Sequence, residues 1–125
     1  FREMAELTPT LKVVTMPRDQ NLWGYVSGGA IVTQIDLAAA IEALKHSQGY
    51  KVVTVAIKEV VFKSPVKVGD LLSVYTKLNS LGRTSLSIGV EVFYERFPQE
   101  RALAATAEVI YVAIDKDGEP AVLKA

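Results

Sequence analysis

The sequence predicts an α+β domain: one long helix packed against an antiparallel sheet of about five to six strands. Three observations predict it. Residues 30–44 form a single helical run of Ala, Ile, Leu and Val with few interruptions. From Lys51 onward the chain reads almost entirely as strand, in Val-rich or alternating segments separated by Pro, Gly and Asp turn signals. Its 125 residues, 50% hydrophobic and 22% charged, are enough for one domain with a core of its own.

Residues 1–9 are mixed and end at Pro9, as an N-terminal arm would. Residues 10–15 can form a first strand. Pro17 and the polar run Arg18-Asp19-Gln20-Asn21 make a loop that delivers Asn21, Trp23 and Tyr25 to the start of the helix. On the helix, Gln34, Glu42 and Lys45 fall in one sector, with Asp36 nearly opposite, flanked by Val32, Ala39, Ala40 and Ala43. His46-Ser47-Gln48-Gly49 is a stop signal, with Gly49 suited to a C-terminal cap.

Lys51 to Phe62 is the next strand, and Pro65 with Gly69-Asp70 marks the turn after it. Leu72, Val74 and Leu78 then alternate with Ser73, Tyr75 and Lys77, the period of a half-buried strand. Leu86, Ile88, Val90, Val92 and Tyr94 share one face of the strand that follows, with Ser85, Ser87, Glu91 and Glu95 on the other. Residues 97–101 form a hairpin turn and residues 102–114 a last strand. Domain limits of 10–118 follow, with residues 119–125 as a loosely tied tail.

Composition removes several function classes. Fourteen basic residues balance fourteen acidic ones with no basic block, so the sequence suggests neither a nucleic-acid surface nor a membrane-binding patch. The absence of cysteine excludes a disulfide scaffold, thiolate chemistry and cysteine-ligated zinc, and is compatible with the cytoplasm. No apolar run is long enough to span a membrane. So apolar a chain of this length predicts burial in an oligomer.

Gly28-Gly29 at a helix start leaves N–H groups and the positive dipole end open, a candidate oxyanion hole at Gly29 or its neighbour. A carboxylate at Asp36, on the apolar side of a helix, is costly unless paired or used. Asn21 precedes it by 15 residues, which need not make the two neighbours in one chain, but a symmetric dimer can lay one protomer's loop over the other's helix. Gly82-Arg83-Thr84-Ser85 reads either as a hairpin turn or as a phosphate contact. The one histidine, His46, falls in the last helical turn, where a cation suits the dipole. Nothing brings it to Ser27, so a serine triad has no support.

The run Met16-Pro17, Asn21, Gly24, Gly28-Gly29 and Asp36, followed by Val61-Phe62-Lys63, Pro65-Val66, Val68-Gly69-Asp70 and Gly82-Arg83-Thr84-Ser85, resembles the hotdog-fold acyl-CoA thioesterases. The resemblance implies a sheet wrapped around one helix, and a homodimer joined sheet edge to sheet edge, commonly assembled as a hexamer of three dimers. It also implies hydrolysis of acyl-CoA, with no cofactor beyond the CoA of the substrate. Asn21 and Asp36 then act from opposite protomers, Asp36 as general base or nucleophile and Asn21 orienting water or thioester. Gly29 supplies the oxyanion N–H, and Arg83, Thr84 and Ser85 meet the nucleotide part of CoA. Tyr25 departs from the family's frequent Asp or Asn, which leaves a non-catalytic acyl-CoA-binding protein as the alternative. A hotdog dehydratase normally needs a histidine, and His46 is badly placed for it.

Overall fold

The computed structural model describes residues 8–125, so all but the last two positions of the expected 1–9 arm lie outside the described residues. Strands β1 (Leu11–Val14), β2 (Lys51–Phe62), β3 (Leu71–Leu81), β4 (Ser85–Arg96) and β5 (Glu100–Ile114) form one antiparallel sheet in the order β1-β3-β4-β5-β2. Helix α1 (Gly28–His46) packs on one face of this sheet and touches β2, β3, β4 and β5. A single helix thus meets four strands, which requires the sheet to curl around it.

The alternation in β4 explains that face. Leu86, Ile88, Val90 and Val92 are fully buried and join Leu72 and Val74 of β3 with Val109, Tyr111 and Ala113 of β5 in one core beneath the helix. The reverse face is also closed in places. Tyr75 and Phe93 meet edge to face at 5.7 Å, with the Arg101 guanidinium 4.3 Å from the Phe93 ring centre. Glu91 is wholly buried there, and neither carboxylate oxygen has a hydrogen-bond partner among the described residues; burial pushes its carboxyl up.

Helix α1 begins at a Ser27 cap, whose Oγ accepts a hydrogen bond from the Ala30 N–H at 3.1 Å. It ends where Gln48 and Gly49 turn left-handed, at φ values of 58° and 89°. Its buried stripe is Ile31, Ile35, Ala38, Ala39, Glu42 and Ala43, while Leu37, Ile41 and Leu44 face outward and stay exposed. This corrects the expected grouping of Glu42 with surface residues Gln34 and Lys45. Glu42 follows Ile35 by seven residues, almost two full turns, and so shares its inward face.

Burial by itself would push the Glu42 carboxyl up, but hydrogen bonds from His46 and Thr76, with Lys45 nearby, outweigh it and hold the group below its ordinary value. Thr76 Oγ1 donates to Glu42 Oε1 at 2.9 Å, and the His46 ring lies 2.8 Å from Oε2.

The Gly69-Asp70 turn is a structural joint. Asp70 is 3% exposed in its side chain; Oδ2 accepts from the Lys67 N–H at 2.8 Å and from Arg96 Nη2 at 2.7 Å, and Oδ1 accepts from Arg96 Nε at 2.8 Å. The tail is firmly tied, contrary to expectation. Ala121 and Leu123 are buried in the core, the Leu123 N–H donates to the Arg83 carbonyl at 2.7 Å, and Gln48 exchanges two hydrogen bonds with the backbone of Lys124.

Burial alone would raise the Asp70 carboxyl, but the Arg96 fork and the Lys67 N–H together hold it below the ordinary carboxylate value. A depressed folded-state value means that the stabilisation is complete above the unfolded carboxyl's range and disappears as pH falls through the folded one. Asp70→Asn is therefore expected to cost about 3 kcal/mol at neutral pH. In urea titrations at fixed protein concentration, the gap from the natural protein should close below about pH 4.

Candidate active site

Two separate polar sites flank α1. The first is the mouth of the helix. Asn21 Oδ1 accepts from the Trp23 N–H at 2.9 Å and the Tyr25 N–H at 3.1 Å, closing the loop over Gly24, which is left-handed at φ 88°. Two N–H donors can be met only by the amide oxygen. The Asn21 oxygen is thus committed to the loop, and only its NH₂ group is free to act on another molecule.

Beside this loop lies a cleft of about 380 Å³ whose wall includes Asn21, Tyr25, Gly28, Ile31, Phe62 and Pro65. Gly28 packs closely on Phe62: a Cβ there would sit 3.1 Å from the ring, so the half-exposed Phe62 side chain would have to give by a few tenths of an ångström. Gly29 is open, with no atom within 4 Å of a Cβ position. The N–H groups of Gly28 and Gly29 find no backbone acceptor among the described residues, as the first turn of a helix dictates. The mouth therefore offers free donors beside a largely apolar cleft, an arrangement suited to a carbonyl oxygen gaining negative charge.

The second site is Asp36. It is half-buried where α1 crosses β2 and β5, and it is paired: Oδ1 accepts from Thr54 Oγ1 at 2.9 Å and from the Tyr111 hydroxyl at 2.8 Å. Thr54 lies on β2, the outer edge of the sheet, and is exposed. Just past it, the β2–β5 register shifts between Thr54 and Ala56, a bulge that follows the residue meeting Asp36.

The structure does not bring Asn21 and Asp36 together within one chain. Asp36 lies eight residues beyond Gly28 on the helix, about 12 Å along the axis. The Arg83-Thr84-Ser85 turn instead belongs to the Asp36 end, because Ser85 pairs with Val112 and Leu86 with Tyr111. Its backbone is well fixed, with the Thr84 carbonyl accepting from Ala113 N–H and the Arg83 carbonyl from Leu123 N–H, while the Arg83 side chain is exposed. One end of the protomer thus carries Asn21 and Gly29, the other Asp36 and the Arg83 turn.

Sequence reasoning missed Thr54 and Tyr111, the partners of Asp36, and gave Phe62 no part in the cleft. A threonine within the Val-rich 51–62 run and a tyrosine on an otherwise aliphatic strand were the available signals. His46 lies in the last helical turn, as expected, and its ring is held there by Glu42.

The Asn21 cap has a direct consequence for the loop. Asn21→Asp keeps an oxygen acceptor and should leave the Trp23 and Tyr25 amides protected from hydrogen exchange, whereas Asn21→Ala should raise the exchange of both at least tenfold.

Residues 24–96 match the thioesterase superfamily. The acyl-CoA thioester hydrolase YciA of Salmonella typhimurium is 39% identical over 114 residues, which cover 88% of this chain and 85% of that one. A hexameric hotdog fold thioesterase of Campylobacter jejuni superposes with a TM-score of 0.88 at 40% identity, covering 94% of this chain and 91% of the other. The acyl-CoA hydrolase of Staphylococcus aureus, solved in complex with butyryl coenzyme A, gives 0.84 at 31% identity over 92% of this chain and 70% of its own. The fold is accordingly the hotdog fold, and the chain belongs to the thioesterase superfamily.

Proposed function

We propose that this protein is an acyl-CoA thioesterase, hydrolysing acyl-CoA to the free acid and CoA in the cytoplasm. The observation that carries the reading is Asp36: a carboxylate fixed by two hydroxyls at the sheet edge, in a chain whose helix mouth holds free N–H donors. Asp36 accepts a proton from water as the water oxygen bonds to the thioester carbonyl carbon. The carbonyl oxygen becomes an oxyanion and is held by the N–H of Gly29 or its neighbour. The C–S bond then breaks, and the thiolate takes up the proton to leave as CoA. The reaction calls for no further cofactor.

Each complete site takes its parts from two protomers. Asp36 and the Arg83-Thr84-Ser85 turn come from one, with the turn reaching the nucleotide portion of CoA. Asn21 and Gly29 come from the other, with the Asn21 NH₂ orienting the water or the thioester. Supporting this are the roughly 12 Å between the mouth and Asp36 on one helix, the exposed Leu37, Ile41 and Leu44 on the outer helix face, and β2 as an open sheet edge. A second copy pairing along β2 and covering that apolar face brings the two halves together. Three such dimers form a hexamer, the assembly of the Campylobacter relative.

A second reading rests on Tyr25, which lines the cleft where its N–H is spent on Asn21. If the chemistry needed a carboxylate there, the protein would bind acyl-CoA without turnover.

Thiol release from a panel of short to long acyl-CoA substrates separates the readings. Asp36→Ala is expected to lower turnover at least a thousandfold while CoA binding by calorimetry persists. Binding without turnover by the natural protein selects the second reading. Refolding an equal mixture of Asn21→Ala and Asp36→Ala chains tests the sharing of sites. Half of the dimers are mixed and each mixed dimer has one intact site, so about a quarter of the natural activity should return. No return from the mixture places Asn21 and Asp36 in one protomer's site.

A further inference from the structure

The Tyr111 hydroxyl is a buried polar group that holds Asp36 but takes no step in the chemistry above. Tyr111 is 1% exposed, its ring lies in the core beneath α1, and its oxygen is 2.8 Å from both Asp36 Oδ1 and the Asp36 backbone carbonyl. One phenol hydrogen is thus shared between two acceptors of the same residue. This ties the Asp36 side chain to its own backbone and fixes the direction in which the carboxylate leaves the helix. Burial first, then the neighbouring carboxylate, pushes the phenol well above its ordinary value, so it remains a donor throughout the working pH range.

Thr54 donates to the same oxygen, so Oδ1 carries two hydroxyl donors and Oδ2 none among the described residues. The two oxygens of the carboxylate are therefore chemically different. We propose that Tyr111 is a positioning residue that dedicates Asp36 Oδ1 to the scaffold and leaves Oδ2 as the oxygen that takes the proton from water. This rests on the reading of Asp36 as general base. Tyr111 acts only through Asp36 and does not touch the substrate.

The titratable group facing Asp36 from β5 is Tyr111 itself. From β2 the facing group is the non-titrating Thr54, and the helix positions one turn away, Val32, Thr33, Ala39 and Ala40, carry no charge.

The test compares the natural protein, Tyr111→Phe and Asp36→Asn in thiol release over a range of acyl-CoA concentrations, with thermal melting alongside. Phe keeps the ring and its core contacts and deletes only the hydroxyl. The expected result for Tyr111→Phe is a kcat lowered about tenfold with KM within about twofold. A kcat unchanged from that of the natural protein overturns the proposal, and so does a KM raised in step with a lowered kcat, which makes Tyr111 a support of the pocket's shape rather than of the base. A lowered melting point with an unchanged kcat assigns Tyr111 to packing alone. Full activity in Asp36→Asn overturns the general-base reading itself, and the Tyr111 proposal with it. A dead Asp36→Asn beside a Tyr111→Phe indistinguishable from the natural protein overturns the Tyr111 proposal alone.

Discussion

The close seating of one helix on a curled sheet is the constraint on which the other features depend. The buried stripe of α1 is short-chained where it crosses the middle of the sheet, with Ala38, Ala39 and Ala43 fully buried. Small side chains let the helix axis approach the strands, and that approach puts the Asp36 carboxylate within hydrogen-bond reach of hydroxyls on β2 and β5. Larger residues at these positions would lift the helix and break both contacts before they disturbed the mouth. Core packing and site geometry are therefore one problem in this fold, solved by the same three alanines.

The same seating explains why the polar groups divide between two ends. A helix 19 residues long has its free N–H groups at its first turn, and the sheet beneath it presents Thr54 and Tyr111 only two turns further on. No bending of the loop over residues 20–26 is needed to join them if another copy supplies the missing half. The apolar outer face of the helix, exposed in a single chain, fits such a neighbour better than it fits water. In this arrangement chemistry and assembly draw on the same surface.

Much of this was legible in the sequence, and the illegible parts have physical causes. Strands β3 and β4 announced themselves because alternation with period two survives in them, and the helix because its run has no competing signal. Asn21, Gly29 and Asp36 stood out as polar or flexible residues in places where the local pattern did not require them. Glu42 was misplaced because the helix is apolar on nearly every side, so a wheel diagram could not say which apolar sector faces inward. Thr54 and Tyr111 were missed because their meeting with Asp36 spans 18 and 75 residues of chain, a relation set by sheet order rather than by any local spacing. The tail was misread for a similar reason: its anchor points, Gln48 and Arg83, are brought to it only by the completed sheet.

Glu42 has a meaning for the fold that its distance from the site conceals. Three alanines at the crossing point interlock little with the strands beneath them, and a slide of one turn along the sheet would be about 5.4 Å. It would also carry the Glu42 carboxylate away from Thr76, so that the buried group would lose the one hydroxyl the sheet gives it and keep only the His46 and Lys45 contacts of its own helix. The contact therefore acts as a detent. It contributes less to how tightly the helix is held than to where along the sheet it stops, and the alignment of Asp36 with Tyr111 is inherited from that stopping point.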